Sequence, residues 1–235
     1  MSGKINRIGI VGMGPVGSIL AGHLKEAGMD VALCDLDKLK MNLVKTEGII
    51  LEGVISKKTY FKNVFTTLAE LETFRPDLIF VCVKTTQLPA LVREISAMQL
   101  EKAGIVCAMN GIDVEKMISG VMGESRTYRM VINFAGNLNA PNVTRVTFFN
   151  PPNYIASMDD NGLEVANEIA DALSGVGIAT KALASFEILR QIWEKTILNS
   201  SLSALCAVGR MTIKEAMSNA DTVELIVQII EEAVE

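Results

Sequence analysis

Along the first 135 residues, short apolar runs alternate with amphipathic stretches. The runs are "RIGIVG" (7–12), "DVALCD" (30–35), "DLIFVCV" (77–83), "GIVCAM" (104–109) and "YRMVINF" (128–134). Strands that are apolar on both faces belong to a parallel sheet covered on both sides. Helical spacing of apolar residues fills roughly 15–27, 37–46, 86–98 and 113–121 between them. This alternation predicts an α/β domain with a doubly wound sheet.

Elsewhere the pattern is less regular. "GIILEGVISKKTYFKNVF" (48–66) reads as extended chain, in the manner of an inserted hairpin. Strands are also expected within 142–158, interrupted at Pro151-Pro152, then a helix at about 161–173 and a short last strand in "GIATKAL". From about 185 the strand signal stops. The predicted domains are therefore 1–184, an α/β domain, and 185–235, the start of a helical domain. The last helix is expected to open on a capping box of Asp221 and Glu224. It reaches Glu235 with acidic rather than cationic residues in its last turn, against the helix dipole. The expectation is a chain cut from a longer protein, the helical domain truncated.

Composition narrows the class. An apolar fraction of 49% supplies a core, and a net charge of −5 gives no general attraction to nucleic acid or anionic membrane. Lys4 and Arg7 before "IGIVGMGPVGSILAGHL" imitate a secretory leader, but Gly12, Gly14, Pro15 and Gly17 break the run. No stretch reaches the ~18 apolar residues of a membrane span. Cys34, Cys82, Cys107 and Cys206 are scattered without a CxxC pair, as reduced thiols of a cytoplasmic protein would be. His23 is the one histidine, without ligand neighbours, so it is expected at the surface or in helix packing and no metal site is expected. Whatever chemistry the chain performs runs without histidine.

The chemistry-bearing motifs start at "GMGPVG", where Gly12, Gly14 and Gly17 have the spacing G-x-G-x-x-G between a strand and a helix. Such glycines allow a tight turn, approach of backbone to a pyrophosphate, and close helix–strand packing. Pro15 suits the first helical turn, and the loop Gly12, Met13, Gly14, Pro15, Val16, Gly17 is the candidate phosphate cradle. Asp35 ends the next strand, where a carboxylate accepts hydrogen bonds from a ribose and repels a 2′-phosphate. It favours NAD over NADP, although Lys38 and Lys40 lie nearby. Lys84 and Asn110 end two further strands, at the edge where open α/β sheets bind ligands. Either alone could be an ordinary loop-entry residue; together they point to one crevice.

The stretch "LRQIWEKTILNSSLSALCAVG" (189–209) reads as a buried helix carrying Lys195, Asn199 and Ser203 at successive i+4 positions. Each such step turns about 40°, so the three form one stripe. The lysine could snorkel to solvent while Asn199 and Ser203 bond backbone. In the functional alternative the stripe lines a cleft beside the dinucleotide domain and faces the nicotinamide. Lys195 then protonates an alkoxide formed by hydride transfer, Asn199 orients the substrate and Ser203 adds a contact.

These pieces together resemble the ketopantoate reductase (2-dehydropantoate 2-reductase) family. The matching motifs are "GMGPVG", the lysine of "VCVKTTQ", "MNG" after the next strand, and "WEKTILN". The resemblance runs from Arg7 to the "EEAVE" end. It implies reduction of 2-ketopantoate to pantoate, toward pantothenate and coenzyme A, usually with NADPH. It implies that Lys195 is the general acid and that Asn199 binds the keto acid. Lys84 and Asn110 would lie beside the nicotinamide, with Asn110 also near substrate.

The sequence departs from the family in three places. Ser203-Ala204 stand where a second Asn followed by Pro is common, Asp35 stands near the usual basic residue, and the family's later substrate-binding Ser and Glu would lie beyond residue 235. A related hydroxy-acid dehydrogenase with another substrate is the alternative. β-Hydroxyacid dehydrogenases share the Lys-x-x-x-Asn helix, but their glycine-rich substrate segment has no match here. A non-catalytic redox sensor is disfavoured, because a sensor needs no proton donor. The partner expected is a small 2-keto acid, with the homodimer left open.

Overall fold

The computed structural model describes residues 5–100 and 102–234. Lys4 and Glu235, which entered the readings of the two ends, lie outside the described residues. The chain divides into two compact units, Met1–Ile188 and Leu189–Glu235.

The first unit is a doubly wound α/β structure. Its chain order begins β1 (Arg7–Val11), α1 (Pro15–Glu26), β2 (Asp30–Cys34), α2 (Lys38–Glu47), β3 (Ile49–Gly53), β4 (Lys57–Thr59), β5 (Asn63–Phe65) and α3 (Leu68–Thr73). It continues β6 (Leu78–Val81), α4 (Leu88–Ala97), β7 (Gly104–Cys107), α5 (Val114–Met122), β8 (Thr127–Val131), β9 (Phe134–Ala140) and β10 (Val143–Phe149). β11 (Asn153–Ser157), α6 (Leu163–Gly175) and β12 (Thr180–Ala182) close it. Eight strands form one sheet in the order β12-β11-β8-β7-β6-β1-β2-β5. All neighbours are parallel except β8 and β11.

Successive residues of β1 point to opposite faces, so Ile8 and Ile10 enter one core and Val11 the other. Leu20 and Leu24 of α1 and Ile169 and Leu173 of α6 fill the first. Leu71 of α3, Leu91 and Ile95 of α4 and Ile118 of α5 fill the second. Burial on both sides is why these strands read as unbroken apolar runs.

The region expected to be an inserted hairpin divides between two sheets. β3 and β4 pair antiparallel and join a four-stranded sheet of order β4-β3-β10-β9, while β5 returns to the main sheet beside β2. "YRMVINF" is not one strand: β8 ends at Val131 and Phe134 opens β9. Asn133 forces the break, its N–H donating to Asn153 Oδ1 at 2.7 Å and its Nδ2 to the Pro152 carbonyl at 2.6 Å. Those bonds take the backbone out of the β8 ladder.

The second unit is helical. It begins within α7 (Ser185–Leu198), at Leu189, and α7 runs into a π-helical segment, Asn199–Ser203, followed by α8 (Ala204–Gly209), α9 (Ile213–Ser218) and α10 (Ala220–Val234). The expected capping box on α10 is displaced. Asn199's unit-mate Asn219 is the cap, its Oδ1 accepting from the Thr222 N–H at 3.1 Å, and Asp221 lies inside the first turn. No helix among the described residues is long and apolar enough to cross a membrane.

Candidate functional site

Four neighbouring parallel strands, β2, β1, β6 and β7, end on the same edge of the sheet. They deliver, in that order, Asp35, the Gly12–Gly17 loop, Lys84 and Asn110. The chain winds outward from β1 through β2 to β5, then crosses back to β6 on the other side. The switch point thus falls between the glycine loop and Lys84, where open α/β sheets bind ligands.

Each glycine of the loop has a separate reason. Gly12 has φ +95°, and a Cβ there would come 2.9 Å from the Cys82 carbonyl carbon. At Gly17 a Cβ would come within 2.1 Å of the Gly12 carbonyl oxygen. Only glycines let α1 start this close to β1 and β6. At Gly14, by contrast, a Cβ would meet nothing within 4 Å. That open flank is where backbone can approach a ligand. Pro15 opens α1, no side chain caps it, and its first turn carries no acid. This end suits a pyrophosphate, whose charge the helix terminus favours.

Asp35 is committed to the loop. Its Oδ2 accepts from the Met13 N–H at 2.7 Å and from Lys40 Nζ at 3.1 Å, and its Oδ1 accepts from the Asp37 N–H at 3.0 Å. Both members of the Asp35–Lys40 pair are largely buried, whereas Lys38 is exposed. Of the two nearby lysines, Lys40 therefore neutralises the carboxylate.

Lys84 and Asn110 are exposed at their strand ends. Their loops are tied by Thr85, whose hydroxyl donates to the Asn110 carbonyl at 2.9 Å. The next carbonyl, that of Gly111, accepts from Arg129 Nη2 at 2.9 Å. Arg129 on β8 is buried and faces Glu115 of α5, also buried, at 3.7 Å. Burial pulls the guanidinium below its ordinary pKa, and Glu115 opposes this. Sequence reasoning missed Thr85, Arg129 and Glu115. The available signal was a lone arginine within the apolar run "YRMVINF", which demands a buried acceptor.

In the second unit, Lys195 is half-buried, and Asn199 and Ser203 are exposed. The expectation of a buried helix is corrected there: Trp193 and Leu198 are 50% and 56% exposed. Lys195 and Asn199 lie one α-turn apart, but Ser203 does not continue the stripe at α spacing. The Ala204 N–H bonds the Asn199 carbonyl, five residues back, which widens the turn. Ser201, fully buried, donates to the Ile197 carbonyl at 2.7 Å inside this bulge. No period in the residues announces a π-turn.

The remaining candidates are inert. Burial pushes the Cys34 and Cys107 thiols up to about 12, and the Cys82 thiol up as well, so all three stay protonated. His23 is buried in α1, its Nδ1 2.7 Å from the Ile19 carbonyl. Among the described residues no cluster of three or more His, Cys, Asp or Glu could hold a metal ion.

Known proteins resemble this chain along most of its length. Residues 8–160 match the family model described as "Ketopantoate reductase PanE/ApbA", and residues 187–235 match the model of its C-terminal part. A 2-dehydropantoate 2-reductase of Streptococcus pyogenes is 24% identical over 225 residues, covering 96% of this chain and 71% of the relative. One from Aquifex aeolicus is 26% identical over 226 residues, covering 95% and 69%. In fold, the chain is similar to a D-mandelate dehydrogenase solved with NADH and anilino(oxo)acetate. That match has a TM-score of 0.83 and 20% identity, covering 97% of this chain and 72% of the other.

Proposed function

Because the chain belongs to the ketopantoate reductase family of oxidoreductases, we propose that it reduces 2-dehydropantoate to pantoate with a reduced nicotinamide dinucleotide. The observation that carries this reading is the alignment of Asp35, Gly12–Gly17, Lys84 and Asn110 along four adjacent strand ends at the switch point. When bound, the dinucleotide supplies a hydride. The pyrophosphate rests on Gly12, Met13, Gly14, Pro15, Val16 and Gly17, at the uncapped start of α1. Asp35 receives the adenosine ribose, and Lys84 and Asn110 flank the nicotinamide end.

Lys195 is the proton donor. Its ammonium group can stabilise the alkoxide as negative charge develops and then protonate it. Asn199, one turn along, orients the keto acid, and Ser203 adds a contact. The test is a screen of 2-keto acids with NADH and NADPH, followed by the loss of absorbance at reduced nicotinamide. Fastest turnover is expected with 2-dehydropantoate; turnover of none of the acids would overturn the reading.

One second reading has a specific observation behind it. Ser203 stands where the family commonly carries asparagine, and the D-mandelate dehydrogenase of similar fold was solved with anilino(oxo)acetate, which carries an aromatic ring. A different hydroxy acid is then the substrate, and the same screen would report faster turnover with a bulkier or aromatic 2-keto acid.

A further inference from the structure

Two consecutive carbonyls, those of Asn110 and Gly111, are each held by a side chain from a different element. Thr85, just past β6, takes the first, and Arg129 of β8 takes the second. The segment is also conformationally constrained. Gly111 has φ +123° and Asp113 has φ +60°, and a Cβ on Gly111 would come 2.9 Å from Val114 Cγ1 and 3.3 Å from the Thr85 hydroxyl. Left-handed backbone of this kind persists when its surroundings over-determine it.

Arg129 is an expensive way to hold one carbonyl. Its guanidinium and the Glu115 carboxylate are both removed from water, at 4% and 1% side-chain exposure. Their closest approach, 3.7 Å, is too long for a hydrogen bond, and Arg129 Nε and Nη1 and Glu115 Oε2 have no hydrogen-bond partner. Buried pairs of this type add little net stability compared with apolar residues of similar volume. The feature the pair does supply is a fixed donor beneath Gly111.

We infer that Arg129, oriented by Glu115, is a positioning residue that sets the peptide plane after Asn110 and so aims the Asn110 side chain at bound cofactor and substrate. The inference rests on the reading of Asn110 as a ligand-contacting residue. Placement errors near 1 Å at such a group cost up to about 10²-fold in rate.

The decisive variant removes both charges together, Glu115→Leu with Arg129→Met, so that no uncompensated ion remains buried. Its melting temperature should stay close to that of the unmutated protein, and its NADH affinity, by fluorescence titration, should change less than about threefold, because the phosphates rest on a different loop. Its kcat/KM should fall on the order of 10- to 100-fold. Amide hydrogen exchange in peptides covering 109–113 should accelerate, while peptides covering β1 and α1 exchange unchanged. Arg129→Lys, which keeps a cation beside Glu115 but cannot serve both it and Gly111 with a planar fork, should show the same pattern more weakly, and keeps the test available if the double variant does not fold.

Asn110→Ala separates the two levels. If it lowers turnover and the Glu115→Leu/Arg129→Met protein is folded with normal kcat/KM and normal exchange at 109–113, the positioning role is overturned and the site reading stands. If Asn110→Ala leaves turnover intact, the ligand role of Asn110 is wrong and the positioning role falls with it. Support comes from a triple variant no worse than Asn110→Ala alone, since residues acting through one another do not add.

Discussion

In the proposed reaction, Lys195 and Asn199 would carry the heaviest chemical demand placed on single side chains. They belong to one helical turn of α7 and the start of the π segment, so their separation is set by backbone rather than by loop motion. Removing a positioned proton donor costs on the order of 10²–10⁴ in rate. Lys195→Ala should lower kcat by about that factor with NADH affinity nearly unchanged, whereas Asn199→Ala should also raise KM for the keto acid. Normal turnover by the lysine variant would make it a snorkelling residue. Asp35 carries a separate demand. Its carboxylate already holds the Met13 N–H and Lys40, so it stands against the loop where the adenosine end of a dinucleotide would lie. NADH should bind at least as well as NADPH, and Asp35→Ala, which leaves Lys40 without its acid, should shift preference toward NADPH. Parallel fluorescence titrations of both cofactors decide it; a strong NADPH preference in the unmutated protein would mean that Lys40 outweighs the carboxylate.

At the scale of elements, the turn from β1 into α1 is the part in which sequence and geometry agree most closely, and it can be broken at one atom. A methyl group at Gly17 would sit 2.1 Å from the Gly12 carbonyl oxygen, a backbone atom that cannot swing away. Gly17→Ala should therefore push α1 off the sheet, lowering both NADH affinity and melting temperature, whereas Gly14→Ala, facing open space, should reduce affinity with little loss of stability. Equal melting temperatures for the two variants would contradict this division. The strands β1, β2, β6 and β7 were legible because burial on both faces leaves only apolar residues, and Asp35, Lys84 and Asn110 were legible because polarity returns where each strand ends. Short elements were not. α3 is announced by Thr67 and Glu70, a reciprocal capping box, and α9 by Thr212 and Glu215, yet six-residue helices have too few turns to show a period. The similar spacing of Asp221 and Glu224 misled, because Asn219 had already capped α10. Nor does any local pattern reveal that Arg129 and Glu115 meet, since their pairing is made by the packing of α5 over β7 and β8.

On the scale of the whole molecule, two cores lie on opposite faces of one sheet, and the first unit's response to pH can be traced to a group buried in one of these layers. His23 is the chain's one histidine, and it is 3% exposed in α1, which also supplies the glycine loop's helix. Burial lowers its pKa below the usual value; the Ile19 carbonyl opposes this, Lys57 adds to it, and Glu26 opposes it weakly. The unfolded chain, with histidine near 6.5, therefore takes up this proton at a higher pH than the folded protein does. Above about pH 6.5 neither state is protonated and the folded state keeps its full stability. Below it the unfolded state gains a proton that the folded state refuses, so stability falls as pH drops until the folded pKa is also passed. One such group gives a slope of up to about 1.4 kcal/mol per pH unit. Glu26, Glu70 and Glu215 have pKa values lowered from an ordinary 4.5 by Lys57, by Thr66 and Thr67, and by Thr212 respectively, so their contributions are lost only at more acid pH. Between pH 6.5 and 5 the histidine acts alone among these groups. His23→Gln, which retains a donor for the Ile19 carbonyl but cannot titrate, should flatten the melting temperature of the first unit across that interval while leaving the fall below pH 4.5 in place. A calorimetric series from pH 7.5 to 4 on both proteins reads the difference directly, and two parallel curves between pH 6.5 and 5 would assign the acid sensitivity to some other group.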